Sequence, residues 1–334
     1  MRMRKQIIEF KNKPSIVSYA AVGSVFEKEG KLGGLFDYIF EDPLAGKESW
    51  EQAESELQKT ALGIAIKKSN KTEQEIGVLF AGDLLNQCIG STFGLMEYKI
   101  PFVGVYGACS TMALSLIMAT SYVDGELVDT AAAVTSSHFC SAERQYRFPL
   151  EYAGQRPPTA QRTATAAGSV IVSNEQSNVF VNRAMIGKVL DFGISDANNM
   201  GAAMAPAAAD TILTFLKETK TSLNDFDKIF TGDLGQIGSE LLYDICLKEG
   251  LDLRNLHQDC GLLLYDVNKQ KVDAGASGCG CSASVLCTHI LNKLNSGEYK
   301  RVLFCATGAL LSPTTVQQGE NIPAIAHLVE LVHK

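Results

Sequence analysis

The chain repeats itself, and the repeat limits its possible folds more than any other feature. Phe226 to Leu234 reads FDKIFTGDL, close to IGVLFAGDL at Ile76 to Leu84, so Asp233 follows Asp83 by 150 residues. Further along the spacing becomes 172. At that offset Gly125-Glu126-Leu127 answers to Gly297-Glu298-Tyr299, Thr135 to Thr307, and Cys109-Ser110 to Cys281-Ser282. The second copy therefore carries about twenty extra residues between the two sets of landmarks. Ordered matches at such a period mean one structural unit used twice. Within each copy, apolar strand-like runs alternate with helical patterns. Ser15–Val22, Ile76–Ala81, Thr130–Val134, Ala166–Ser173 and Val181–Leu190 read as strands, and Trp50–Lys68 as a helix. A second helix is expected from Pro206, placed in a first turn, to Lys217. The expected class is α/β, with sheets joined by helix crossovers and two halves, 1–175 and 176–334.

Val103 to Gly125 reads VGVYGACSTMALSLIMATSYVDG. From Met112 to Tyr122 it is apolar on nearly every face, which suits a helix buried inside a large domain, with Gly125 as its stop. Cys109 then lies where a strand hands over to that helix. Free backbone N–H groups and the positive end of the helix dipole gather there, and both favour a thiolate or a bound anion.

The net charge of -7 and the absence of a basic block argue against non-specific nucleic-acid binding. No apolar run approaches membrane-spanning length, and MRMRKQIIEF breaks too early for a signal peptide. Nine cysteines, an odd number in mostly apolar contexts, suggest free thiols in a reducing compartment. There is no GxxxxGK[ST], and no GxGxxG opens a helix after the first strand, so phosphate-loop and dinucleotide readings fail.

Duplicated α/β halves with a cysteine heading a buried helix resemble the thiolase superfamily, nearest the beta-ketoacyl-ACP synthase III enzymes. That resemblance implies a duplicated five-layered αβαβα fold and a homodimer formed through the sheet beside the cysteine helix. It makes Cys109 the nucleophile and His257, in LHQDCG, the catalytic histidine. The asparagine motif of these enzymes falls on Gly278 to Val285, where Cys279 stands in the asparagine position. A closer resemblance, to the stage V sporulation AD family of spore-forming bacteria, covers essentially the whole chain. Its carriers include AGDLLNQ (81–87), GACST (107–111), TSSH (135–138), AERQYRFPLEYAGQRP (142–157), MGAAMAPAAADTI (200–212), GCGCSA (278–283) and ATGALLSPTTVQQ (306–318). It implies a fold without established condensing activity. It also implies binding of dipicolinic acid, often as the calcium chelate, during uptake into the spore. The expected partners are other uptake-complex proteins at the membrane, which would place the chain peripherally at the spore inner membrane.

Condensation needs a thiolate, plus histidine and asparagine to hold a thioester oxygen. Cysteine offers only a weak S–H donor in place of the carboxamide, which disfavours condensation. Acyl transfer through Cys109 and His257 stays open. As a ligand site, the same pocket is expected to use Asp83, Asn86, Cys109, His138, Asp259, Cys260, Cys279 and Cys281. Arg144, Arg147, Arg156 and Arg162 could supply positive charge if the 139–162 stretch folds over the mouth. Asp83 and Asp259 would repel a bare dianion but could engage calcium, while a structural turn role suits the matched pair Asp83 and Asp233 equally well. His257, Cys260, Cys279 and Cys281 could in principle bind zinc tetrahedrally, although their spacing is not that of paired zinc knuckles, and no resident metal or other cofactor is expected.

Overall fold

Strands buried on both faces need covering layers on both sides, and the sequence supplies them as Ala- and Val-rich runs. The computed structural model describes residues 2–4, 6–146 and 156–334. In the first half the principal strands are β1 (Ser15–Gly23), β2 (Val78–Gly82), β3 (Phe102–Gly104), β4 (Thr130–Ser137) and β5 (Ala166–Ser173). In the second they are β6 (Val179–Met185), β7 (Lys228–Thr231), β8 (His257–Asp259), β9 (Arg301–Ala309) and β10 (Ala324–His333). The main hydrogen-bonded path runs β8-β7-β9-β10-β6-β1-β5-β4-β2-β3. Read outward from its middle, it has the same order twice. β1 and β6 meet at Phe180 and Ser15, and each half then adds an antiparallel strand followed by three mutually parallel strands.

Helices α1 (Trp50–Lys68) and α2 (Ile89–Leu95) cover the outer side of the first half. Between the two halves of the sheet lies α3 (Thr111–Asp124), followed in sequence by α4 (Phe139–Tyr146) near the site. Helices α5 (Met200–Thr219) and α6 (Gly235–Lys248) cover the second half. The middle layer is completed by α7 (Cys279–Val285), which runs on through a π turn (Leu286–Ile290) to Leu291–Asn295. Five layers result: helices, sheet, the α3/α7 pair, sheet, helices. Met112, Leu116, Ile117 and Ala119 of α3 are sealed off from solvent. Burial of each larger one contributes about 1.5–3 kcal/mol.

The strand expected over Val181–Leu190 is observed at Val179–Met185, and one helix also differs from its sequence-based expectation. α5 starts at Met200, capped by the Asn199 side chain accepting from Ala202 N–H, so Pro206 lies inside the helix. The ring is tolerated because Pro206 shares a half-exposed face with Ala202 and Asp210. The carbonyl it leaves without a helical donor sits on that outer face rather than in the core. All nine cysteines are free thiols. Among the described residues, no helix is long and apolar enough to cross a membrane.

Candidate functional site

The loop between β3 and α3 is tied down by its own side chains. Ser110 donates to the Gly107 carbonyl at 2.5 Å, and Thr111 Oγ1 donates to the Ala108 carbonyl while accepting from Gly107 N–H at 3.1 Å. These bonds hold Ala108 at φ +49, a left-handed conformation that costs an L-residue about 1 kcal/mol. Cys109 follows, only 5% exposed. The end of β9 crosses close behind. A Cβ on Gly308 would stand 2.3 Å from the Gly107 carbonyl, so glycine is required there.

The second half supplies what faces the thiol. Ser277 Oγ lies 3.9 Å from Cys109 Sγ and donates to Asp233 Oδ2 at 3.0 Å. The same carboxylate accepts Gly278 N–H at 2.9 Å and the Thr307 hydroxyl at 3.0 Å. Since Ser277 has one hydroxyl proton and gives it to Asp233, the thiol is the donor in the Cys109–Ser277 contact. A cavity of about 60 Å³ lies over this chain of groups; its walls include Cys109, Ser277, Tyr106, Tyr146, Gln161 and Thr163. Tyr146 donates to the Leu84 carbonyl, and the two tyrosine hydroxyls stand 3.4 Å apart.

Burial, and after it the Asp233 charge, pushes the Cys109 thiol well above its usual range. Asp233 is itself raised by burial, against hydrogen bonds that lower it. At neutral pH Cys109 is therefore a thiol, and its one acidic neighbour opposes rather than assists ionisation. The dipole argument that favours a thiolate loses here to desolvation and a like charge.

Other residues singled out in the sequence go to different places. The pairing of His257 with Cys109 is corrected. His257 on β8 has its Nε2 2.7 Å from Thr231 Oγ1 and its Nδ1 2.9 Å from Tyr243 Oη, and it does not line the cavity. Burial drives it down to about 4, so it is neutral. Asp259 accepts Leu234 N–H, Gly235 N–H and the Thr231 hydroxyl, fixing the start of α6. Cys260 is sealed in the central core with Cys281 and Tyr265, and Cys281 Sγ points to the Gly232 carbonyl at 3.9 Å. Cys279 does pack against Cys109, Leu84 and Ala142, but its thiol donates to the Ser136 carbonyl at 2.9 Å. Asp83 accepts from Ser91 N–H, the Ser91 hydroxyl and Leu85 N–H. Asn86 is exposed on an outer groove with Glu51 and Arg144. His138 bridges the Pro43 carbonyl and Cys140 N–H.

The arginines are likewise committed. Arg144 pairs with Glu51 over Trp50, and Arg156 pairs with Glu143. The Arg162 guanidinium is sandwiched between Phe26 at 3.9 Å and Phe139 at 3.8 Å. Arg147 lies outside the described residues. His257, Cys260, Cys279 and Cys281 do not converge. Among the described residues no His, Cys, Asp and Glu cluster could hold a metal ion.

Three residues that matter at the cavity escaped the sequence reading: Ser277, Gln161 and Tyr106. Asp233 was visible as the mate of Asp83, but a turn role explained it equally well. Only the fold brings it under Cys109.

Two mirrored α/β halves meeting over a cysteine at the head of a central helix define a thiolase-like protein. Solved structures share this architecture. 3-Oxoacyl-[acyl-carrier-protein] synthase III from Aquifex aeolicus VF5 matches with a TM-score of 0.59 at 9% identity, covering 96% of this chain and 100% of that one. OleA from Xanthomonas campestris matches with a TM-score of 0.60 at 12% identity, over 97% and 99% of the two chains. The chain belongs to the stage V sporulation protein AD (SpoVAD) family, whose model matches residues 4–332. It is 44% identical over 323 residues to stage V sporulation protein AD of Bacillus subtilis (strain 168), covering 97% of this chain and 95% of that protein.

Proposed function

We propose that this sporulation-family chain is a non-condensing thiolase-fold protein that binds dipicolinic acid, or its calcium chelate, for uptake into the developing spore. The observation that carries the non-condensing part is the Cys109–Ser277–Asp233 chain of contacts. A condensing nucleophile needs a partner that takes its proton; here the partner is a buried carboxylate that raises the thiol instead. Among the described residues no histidine lines the cavity, and Cys279 turns its S–H toward Ser136. Loss of one oxyanion donor alone removes about 3 kcal/mol of transition-state stabilisation. The pocket is retained while its reaction machinery is not, which suits recognition. The ligand itself rests on the family resemblance.

The cavity holds about four water-sized spheres, so a pyridine dicarboxylate requires the Tyr106 and Tyr146 side chains to swing aside. Tyr106, 46% exposed, stands at the solvent side of that pair. Calorimetric titration with dipicolinate, alongside an assay with acyl-CoA and malonyl-ACP, tests the reading. Saturable binding without turnover is expected. Turnover abolished by Cys109→Ala would replace it with the acyltransferase alternative.

The same reading includes a homodimer. Edge strand β3 exposes Phe102 and Val103, and Phe93 and Met96 are exposed just before it in the chain. An unpaired edge flanked by apolar side chains suits a second copy. Val103→Lys should shift the sedimentation coefficient to that of a monomer; an unchanged value sinks this interface. Membrane proteins of a spore uptake complex are the further partners, to be sought by co-purification from sporulating cells.

A further inference from the structure

Arginines stacked on aromatic rings in this chain end on carboxylates, with one exception. Arg144 lies over Trp50 and pairs with Glu51. Arg156 lies over Phe139 and pairs with Glu143. Arg183, over Phe215, and Arg301, over Phe226, share Glu330. Arg162 is stacked on two rings, its guanidinium carbon 3.9 Å from the centre of Phe26 and 3.8 Å from that of Phe139. Among the described residues its side-chain N–H groups have no acceptor and no carboxylate partner. Glu27, next to Phe26 in the chain, does not serve. Its carboxylate is sealed from solvent and accepts from Tyr265, Ser24 and Thr165 N–H.

The geometry says what is missing from that edge. Two rings hold the guanidinium in one plane, so its rotamer freedom is lost before any ligand arrives. With both faces covered, an acceptor reaches it only edge-on and in that plane. A carboxylate is the group that takes two parallel N–H bonds there. Arg162 is half-buried, and the part of its guanidinium left to solvent is the edge. Gln161 and Thr163 line the cavity over Cys109, so Arg162, between them on the same strand, points to the opposite side. This edge is therefore separate from the cavity and independent of what the cavity binds.

An open edge holds a free small carboxylate only weakly. Affinity has to come from a wider contact, which a protein supplies, and the surroundings fit an acidic one. Phe26 lies on the short helix Val25–Lys28, and Gln270 of the short helix Val267–Gln270 donates to its carbonyl. Lys28, Lys31, Lys269 and Lys271 are exposed on or just beyond these two elements and outnumber Glu29, Asp266 and Asp273. This is a locally positive face on a chain of net charge -7.

We propose that Arg162 is a docking fork for a glutamate or aspartate side chain presented by an acidic segment of a partner protein. Fluorescence anisotropy of the full chain with fluorescein-labelled octaglutamate tests it. Octaglutamate should bind saturably and octaglutamine should not. Arg162→Lys keeps the charge but not the planar fork, and should weaken binding by about fivefold or more. Phe26→Leu keeps the arginine but uncovers one of its faces, and should weaken binding by about threefold. Lys269→Gln, on the same face, should change it by less than about twofold. Failure of wild-type protein to bind octaglutamate overturns the proposal. So does wild-type affinity in either Arg162→Lys or Phe26→Leu, or a loss in Lys269→Gln as large as in Arg162→Lys, since each reduces the site to general positive charge. Displacement of octaglutamate by glutarate at equal carboxylate concentration assigns the edge to free dicarboxylates and equally overturns protein docking.

Discussion

Asp83 and Asp233 occupy matching places in the two halves, yet they have been put to opposite uses. Asp233 turns to Thr307, Ser277 and Gly278 and stands under Cys109. Asp83 turns outward to Ser91 and Leu85, and Thr135, the mate of Thr307, keeps a buried hydroxyl with no partner. The helices behind them differ as well. In the first half α1 places Glu54 near Asp83, its carboxylate accepting from Ser136 and Ser141; at the matching place α5 has Met204, wholly buried. The matched cysteines follow suit. Cys109 borders a cavity, whereas Cys281 is sealed against Cys260 and the Gly232 carbonyl. A duplicated unit thus keeps its backbone while its side chains diverge, and only one of the two equivalent junctions retains open space.

The largest expected effect is at Glu54, and it depends on pH. Burial, with Asp83 next, raises it from 4.5 to about 8. The folded chain holds a proton there that the unfolded chain releases above 4.5. Stability therefore falls as pH rises between 4.5 and 8, by something on the order of 5 kcal/mol. Glu54→Gln should flatten this slope in thermal unfolding between pH 5 and 8, and an unaltered slope would show that another group produces it.

Asp233 gives the next effect. Asp233→Ala strands the Ser277 and Thr307 hydroxyls and Gly278 N–H, and should cost about 3 kcal/mol or more in denaturant unfolding. Asp83→Ala should cost less, because it also removes a like charge near Glu54. Equal losses would mean the two junctions are energetically alike.

Reactivity should separate the cysteines by about tenfold. Asp233→Asn removes the charge that opposes ionisation, so iodoacetamide should label Cys109 faster at pH 8, while Cys281, wholly buried away from the reagent, stays unlabelled, as read by mass spectrometry. The smallest effect is on packing. Cys281→Ala should cost about 1–2 kcal/mol of unfolding free energy, and Cys109→Ala less than about 1, since one side of Cys109 already faces a cavity.

Much of this architecture was legible from residues near one another in the chain. The all-round apolar pattern after Cys109 is a central helix because every face of it meets protein. The strand ending at Ser173 was bounded by its own pattern. Pro206 misled because a first-turn preference is only statistical, and an Asn199 cap with small alanines let the helix begin earlier. His257 misled for a different reason. A His-Gln pair has the same letters wherever it lies, and β8 sends this imidazole to Thr231 and Tyr243.

The sequence by itself determined a duplicated α/β chain with a buried, cysteine-headed helix, because periodicity and repetition are properties of neighbouring residues. Only the tertiary structure decided that Asp233 and Ser277 share a site with Cys109, and that His257 does not. Ser277 lies 168 residues from Cys109 in the chain. Which side chains meet across that distance depends on how the two halves dock through their middle layer, and local propensity carries no record of that docking.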